Sequence, residues 1–183
     1  MPRRSLQDWI VDEDRYARLR HDHFRRAAEF VSVELAAAPE VEAVWLFGSV
    51  ARPLQTRITR RGWEMLHHCK DVDLAVWVDS LDRLKALNRA RSKGVSRLLS
   101  EAGIGVAHHQ VDIFLFAPGS NQYLGRLCSY GSCPKGKPSC TVPGCGREPL
   151  LQQHEGFVLD PAALAEDRVV RLFDRADVGA KTS

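Results

Sequence analysis

The chain has 183 residues, 44% of them hydrophobic, which suits one domain with a sizeable core. Its 26 Lys and Arg against 23 Asp and Glu leave a net charge of +3, too small to diagnose nucleic-acid binding but compatible with an anionic substrate. No apolar run is long enough to span a bilayer, and the basic residues near the start are not followed by an apolar stretch, so the expectation is a soluble, cytoplasmic protein.

Phe24, Ala27, Ala28, Val31 and Leu35 recur at three- and four-residue spacing, which predicts an amphipathic helix over 12–37 that ends before Pro39. Residues 41–47 (VEAVWLF) form a short β-rich run stopped by Gly48, the pattern of a buried strand delivered to a turn. Residues 72–78 (VDLAVWV) and 111–116 (VDIFLF) predict two further strands. The helix between them is marked by Leu84, Leu87, Val95, Leu98, Leu99 and Ala102, with Ser80 as its expected N-cap and Gly103 near its C-terminus. Residues 126–149 are dense in Gly, Pro, Ser and Cys and read as an irregular loop. A short edge strand at 157–159 is expected next, followed by a last helix over 160–175 that starts with Asp160 as N-cap and Pro161 as its first residue. The order implies a single mixed α/β (α+β) domain, a small mixed sheet flanked by helices, with a catalytic core over 41–116.

Two carboxylates, Asp73 and Asp112, sit where apolar residues are expected, and Asp71 stands beside the first. Asp71 and Asp73, one residue apart, project from one face of a strand, and Asp112 repeats the oddity between Val111 and Ile113. An unpaired charge among such neighbours is costly, and a bound cation removes the cost. Three oxygen donors suit Mg²⁺, and a pair of Mg²⁺ ions predicts chemistry on a nucleoside triphosphate. The bland alternative is solvated strand-end Asp residues paired with Arg or Lys. Gly48 and Ser49 follow the first strand, and Ser49 is positioned to cap a short helix beginning at Val50, whose first-turn N–H groups would form an anion site with Arg52 close by. The alternative is an ordinary strand-to-helix turn.

In combination, LFGSVAR at 46–52, DVDLAV at 71–76 and VDIFLF at 111–116 resemble the ordered signature of the DNA polymerase β nucleotidyltransferase superfamily, in particular its minimal members. The resemblance spans roughly 41–116. It implies that Gly48 and Ser49 hold nucleotide phosphates, that Asp71 and Asp73 bind two Mg²⁺ ions, and that Asp112 completes the metal site and helps orient or deprotonate the acceptor. It further implies attack of an acceptor hydroxyl on the α-phosphate, with pyrophosphate leaving. The segment 53–70 is longer than in minimal members and is basic, with Arg57, Arg60, Arg61 and Lys70 beside Trp63. It either contacts the acceptor or is a solvated loop whose Trp63 packs on the core. His67, His68, His108 and His109 flank the acidic strands without an assigned role.

Cys128, Cys133, Cys140 and Cys145 stand in a C-x4-C-x6-C-x4-C arrangement, which suits a closed structural Zn²⁺ site that orders a loop poor in apolar residues. Two disulfides, or a site with His154 in place of one Cys, are the alternatives. Cys69 reads as a packed thiol. Arg126, Lys135, Lys137 and Arg147 make the loop basic, so it either helps to hold a nucleic acid or forms a wall beside the site.

The expected function is therefore an Mg-dependent transferase that moves a nucleoside monophosphate onto a hydroxyl. Only the zinc loop and one expected helix follow Asp112, where many relatives that modify small molecules carry a substantial helical domain, so a protein or RNA acceptor is favoured over a small molecule. A partner protein is also expected, as in the toxin–antitoxin components among minimal relatives. The rival expectation is a non-catalytic binding protein of the same fold that uses its zinc loop and basic insert for contacts.

Overall fold

The computed structural model describes residues 5–130, 149–152 and 159–179. Helix α1 runs over Leu6–Ala36, six residues earlier than the apolar spacing indicates, because Ser5 and Asp8 form a reciprocal capping box at its start. Strands β1 (Val41–Phe47) and β4 (Val72–Val78) and helix α2 (Leu84–Ala102) follow the sequence expectation, as does β5 (Val111–Phe116). Gly103 ends α2 in the left-handed conformation. The expected cap does not form: Ser80 bonds Asp82, and Arg83 occupies the N-cap position without a side-chain hydrogen bond.

Segment 53–70 contains a two-stranded hairpin, β2 (Arg57–Arg60) and β3 (Trp63–Leu66), where the sequence suggests only a loop. The stretch read as starting an irregular loop begins inside β6 (Tyr123–Leu127). The expected edge strand at 157–159 falls partly outside the described residues, and an edge strand β7 forms at Leu151–Gln152 instead.

The C-terminal expectation is corrected most. Asp160 does cap, accepting from the Ala162 N–H at 3.0 Å, but it caps a short 3-10 turn over Pro161–Leu164. A second 3-10 turn at Glu166–Arg168 precedes strand β8 (Val170–Asp174), and helix α3 occupies only Arg175–Gly179. β8 adds antiparallel to the outer edge of β1. The unpaired N–H and C=O groups of that edge reward an extended partner, and Val169, Val170 and Phe173 have the branched and aromatic side chains that pack on a sheet, so helix periodicity loses. Arg175 ties the junction down by donating to the Val41 carbonyl at 2.8 Å and the Ala38 carbonyl at 2.9 Å.

The main sheet has the order β7-β6-β5-β4-β1-β8, with β4 and β5 parallel through the α2 crossover and the other described pairs antiparallel. Alternation along the strands divides the apolar residues in two. One face, with Leu46, Leu74, Val76, Ile113 and Leu115, packs on α1 and α2. The helices approach closely at Gly94, where an added Cβ would stand 2.6 Å from the Val31 Cα, and Glu34 joins them through Lys93 and Arg97 at 2.8 and 2.7 Å. The opposite face is aromatic: Trp45, Phe47, Trp77, Phe114 and Phe116 lie under Leu159, Ala163, Leu164 and Val169. Among the described residues no helix is long and apolar enough to cross a membrane.

Candidate functional site

The carboxylates lie on the aromatic face, at the end of the sheet where β1 finishes and β4 and β5 begin. Asp73 and Asp112 are partners in the β4–β5 register. Paired residues of parallel neighbours point to the same side, with backbones about 4.8 Å apart, so the two side chains stand next to each other. Asp71 sits immediately before β4. Its approach is held by Arg20 of α1, which donates to the carbonyls of Cys69 at 2.8 Å and Lys70 at 3.3 Å.

On the other side of Asp73 is the turn after β1, where Phe47 pairs with Asp73. Gly48 has φ +75°, and a Cβ there would lie 2.4 Å from Asp73 Oδ2. Only glycine fits, both for its backbone conformation and for the carboxylate packed against it. No helix begins at Val50: residues 48–51 form a turn, so the anion site expected from a helix N-terminus is not built that way. Ser49 and Arg52 instead line a cleft of about 300 Å³ together with Thr56, His67, Cys69 and Asp167. Gly48 and Arg52 also border a smaller space of about 120 Å³ closed by Asp160, Ala163 and Arg168. The C-terminal 3-10 turns thus form one wall of the site. The buried His21 donates from Nε2 to the Arg52 carbonyl at 2.9 Å and steadies the turn from α1.

Burial pushes the Asp73 carboxyl up from 3.8 to about 6, and the like charges of Asp112 and Asp71 add to the rise against an opposing Arg126. Asp112 is raised as well, first by burial, while Arg126 pulls it down and Asp71 pushes it up. The three acids therefore share one electrostatic site. Arg126, counted in the sequence only as part of a basic loop, is its fourth member: from β6 it donates to Asp112 Oδ2 at 2.9 Å and to Gln152 Oε1 at 2.9 Å. Tyr123, on the same strand, is pushed up to about 12 by burial. Neither residue has a local sequence signal, because both reach the acids only through the antiparallel pairing of β6 with β5.

Behind the site, Arg91 of α2 is fully buried and donates to the carbonyls of Val111 at 3.4 Å and Cys128 at 2.8 Å, joining the start of β5 to the end of β6. Burial lowers its guanidinium from the usual range, and the nearby Asp112 carboxylate opposes that. Cys69 is a buried, free thiol, as expected, although it also borders the 300 Å³ cleft. Cys128 is buried in the main core as a free thiol, whereas Cys133, Cys140, Cys145 and His154 lie outside the described residues. Among the described residues no group of three or more His, Cys, Asp or Glu side chains, Asp71, Asp73 and Asp112 included, is arranged so that it could hold a metal ion. No family model, curated protein or solved structure matches the chain.

Proposed function

We propose that the chain is an Mg-dependent nucleotidyltransferase of the polymerase β type, transferring a nucleoside monophosphate from a triphosphate to an acceptor hydroxyl. The observation that carries this reading is the in-register pairing of Asp73 with Asp112 behind a Gly48 backbone that touches Asp73. Mg²⁺ keeps several waters and takes one or two carboxylates plus substrate phosphates, so the paired Asp73 and Asp112 could serve it without three protein ligands already converged. The desolvation that pushes Asp73 up is also the cost that a cation relieves. Asp71, Asp73 and Asp112 would hold the metal, which when bound supplies charge neutralisation at the reacting phosphate.

The chain's own groups then have separate tasks. Gly48 keeps the turn close to Asp73, and Ser49 and Arg52 meet the phosphates in the 300 Å³ cleft. Asp112, its carboxyl raised by burial and held in place by Arg126, which opposes that rise, accepts a proton from or orients the acceptor hydroxyl. A structural zinc on Cys128, Cys133, Cys140 and Cys145 is part of the same proposal.

A second reading has an observation of its own. The ion pair of Arg126 with Asp112 already neutralises one acid, as it would in a non-catalytic binding protein of this fold. Incubation with Mg²⁺ and each α-labelled nucleoside triphosphate, in a cell extract, separates the two. Label transferred by the wild type and not by Asp73→Ala supports the transferase. Absence of both transfer and triphosphate binding leaves the binding-protein reading.

A further inference from the structure

The β2–β3 hairpin carries an exposed surface that is both aromatic and basic. All four residues of β2 are exposed, and Trp63 keeps 44% of its surface in water, so of the two alternatives for this segment the one in which Trp63 packs on the core is not met. The register pairs Arg60 with Trp63 and Ile58 with Met65, which places Ile58, Arg60 and Trp63 on one face, with the indole beside an arginine. The turn between the strands is Arg61-Gly62, with φ values of +54° and +82°. This is the tight two-residue geometry that prefers Asn-Gly, because both central residues need positive φ. An arginine held there is conformationally costly, and such outliers gather where a side chain is used. Among the described residues neither Arg60 nor Arg61 makes an ion pair, whereas Arg57 is held by Asp14 at 3.3 Å.

The hairpin is anchored. Asp14 of α1 also accepts from the Leu66 N–H at 2.7 Å, and the His67 N–H bonds the Thr56 carbonyl at 2.8 Å, closing the hairpin at its base. Thr56 and His67 are themselves lining residues of the cleft that holds Ser49 and Arg52. An exposed indole, with Arg60 across the register and Arg61 in the turn, neither arginine ion-paired among the described residues, therefore stands on a hairpin whose base lines the cleft of Ser49 and Arg52. We propose that this hairpin binds single-stranded RNA, with a base stacked on Trp63 and neighbouring phosphates met by Arg60 and Arg61, and so presents an RNA acceptor to the carboxylates.

Stacking accounts for the exposed indole, and phosphate contact accounts for the unneutralised arginines, whereas an acidic peptide would use the charges and leave the ring unexplained. The inference deepens the transferase reading by naming the acceptor class. Its test omits nucleoside triphosphate and Mg²⁺, so the two can fail separately.

The experiment is fluorescence anisotropy of a labelled, mixed-sequence 15-nucleotide RNA with the full chain at several salt concentrations, beside an acidic peptide and a duplex of the same length. The wild type is expected to prefer the single strand. Trp63→Ala should weaken binding about tenfold or more, and Trp63→Phe should retain most of it. The double substitution Arg60→Gln, Arg61→Gln should reduce the slope of log K against log salt by about 1.4. Thr59→Ala, on the other face of the hairpin, should bind like the wild type. The proposal is overturned if the peptide or the duplex binds better than the single strand, if no RNA binds, or if the Trp63 and arginine variants bind unchanged while melting like the wild type.

Discussion

Replacing Asp73 with Asn should stabilise the unliganded protein at neutral and alkaline pH while abolishing label transfer. In the unfolded chain this carboxyl ionises near 3.8, and in the fold it is raised to about 6, chiefly by burial and then by Asp112 and Asp71. A difference of that size corresponds to about 3 kcal/mol of preference for the neutral form. Asp73 keeps partial contact with water, and solvent screening reduces the usable amount to about 1–2 kcal/mol. The sign follows from proton counts. Below pH 4 both states hold the proton and the charge costs nothing. Between about 4 and 6 the folded state retains a proton that the unfolded state has released, so wild-type stability falls as pH rises; above 6 the loss is complete. Asn carries no such titration. The variant should therefore match the wild type near pH 4 and exceed it by about 1–2 kcal/mol at pH 8, which for a chain of this length is about 2–8 °C in Tm. Urea unfolding of both proteins across this pH range measures the difference directly. Adding Mg²⁺ at pH 8 should narrow the gap, because the cation stabilises only the wild type. An Asn variant that is less stable than the wild type at pH 8, or a difference that does not change with pH, refutes the reasoning.

Gly48→Ala forces a side chain into a left-handed position and within 2.4 Å of Asp73 Oδ2, so we expect about 1–2 kcal/mol of destabilisation by thermal unfolding. The displaced carboxylate should lower the rate of label transfer about 100-fold. Arg126→Met removes the group that holds Asp112 down, so the acid limb of the pH–rate profile should move to higher pH, and an unshifted limb would separate Arg126 from the chemistry. Metal analysis of purified protein should find about one zinc per chain, falling well below that in Cys128→Ser; a wild-type chain without zinc and with freely titrating thiols discards the zinc site.

Much of the frame was legible along the chain because the signals are local. β1, β4 and β5 are continuous apolar runs, and α2 has both its apolar stripe and a glycine stop. The unusual position of three Asp residues within or beside such runs pointed to the candidate site, because an acid there needs a reason. The errors have physical causes. The helix expected over 160–175 gave way to β8, since periodicity cannot register the open edge of β1 that an extended segment would satisfy. The helix expected after Ser49 gave way to a turn.

The sequence by itself determined the three strands β1, β4 and β5, the acids within or beside them, and the Gly48 stop after β1, all properties of short segments and side-chain chemistry. Only the tertiary structure decided that β4 and β5 are parallel neighbours in the register that sets Asp73 beside Asp112. A second long-range pairing, of β5 with β6, brought Arg126 to Asp112, and the fold set Asp160, Ala163 and Arg168 around the same small space as Gly48 and Arg52. Strand order and register depend on groups separated by tens of residues, and a shift of one residue would turn these side chains to the opposite face. The acids could be found by reading along the chain, but their shared electrostatics exist only in the folded sheet.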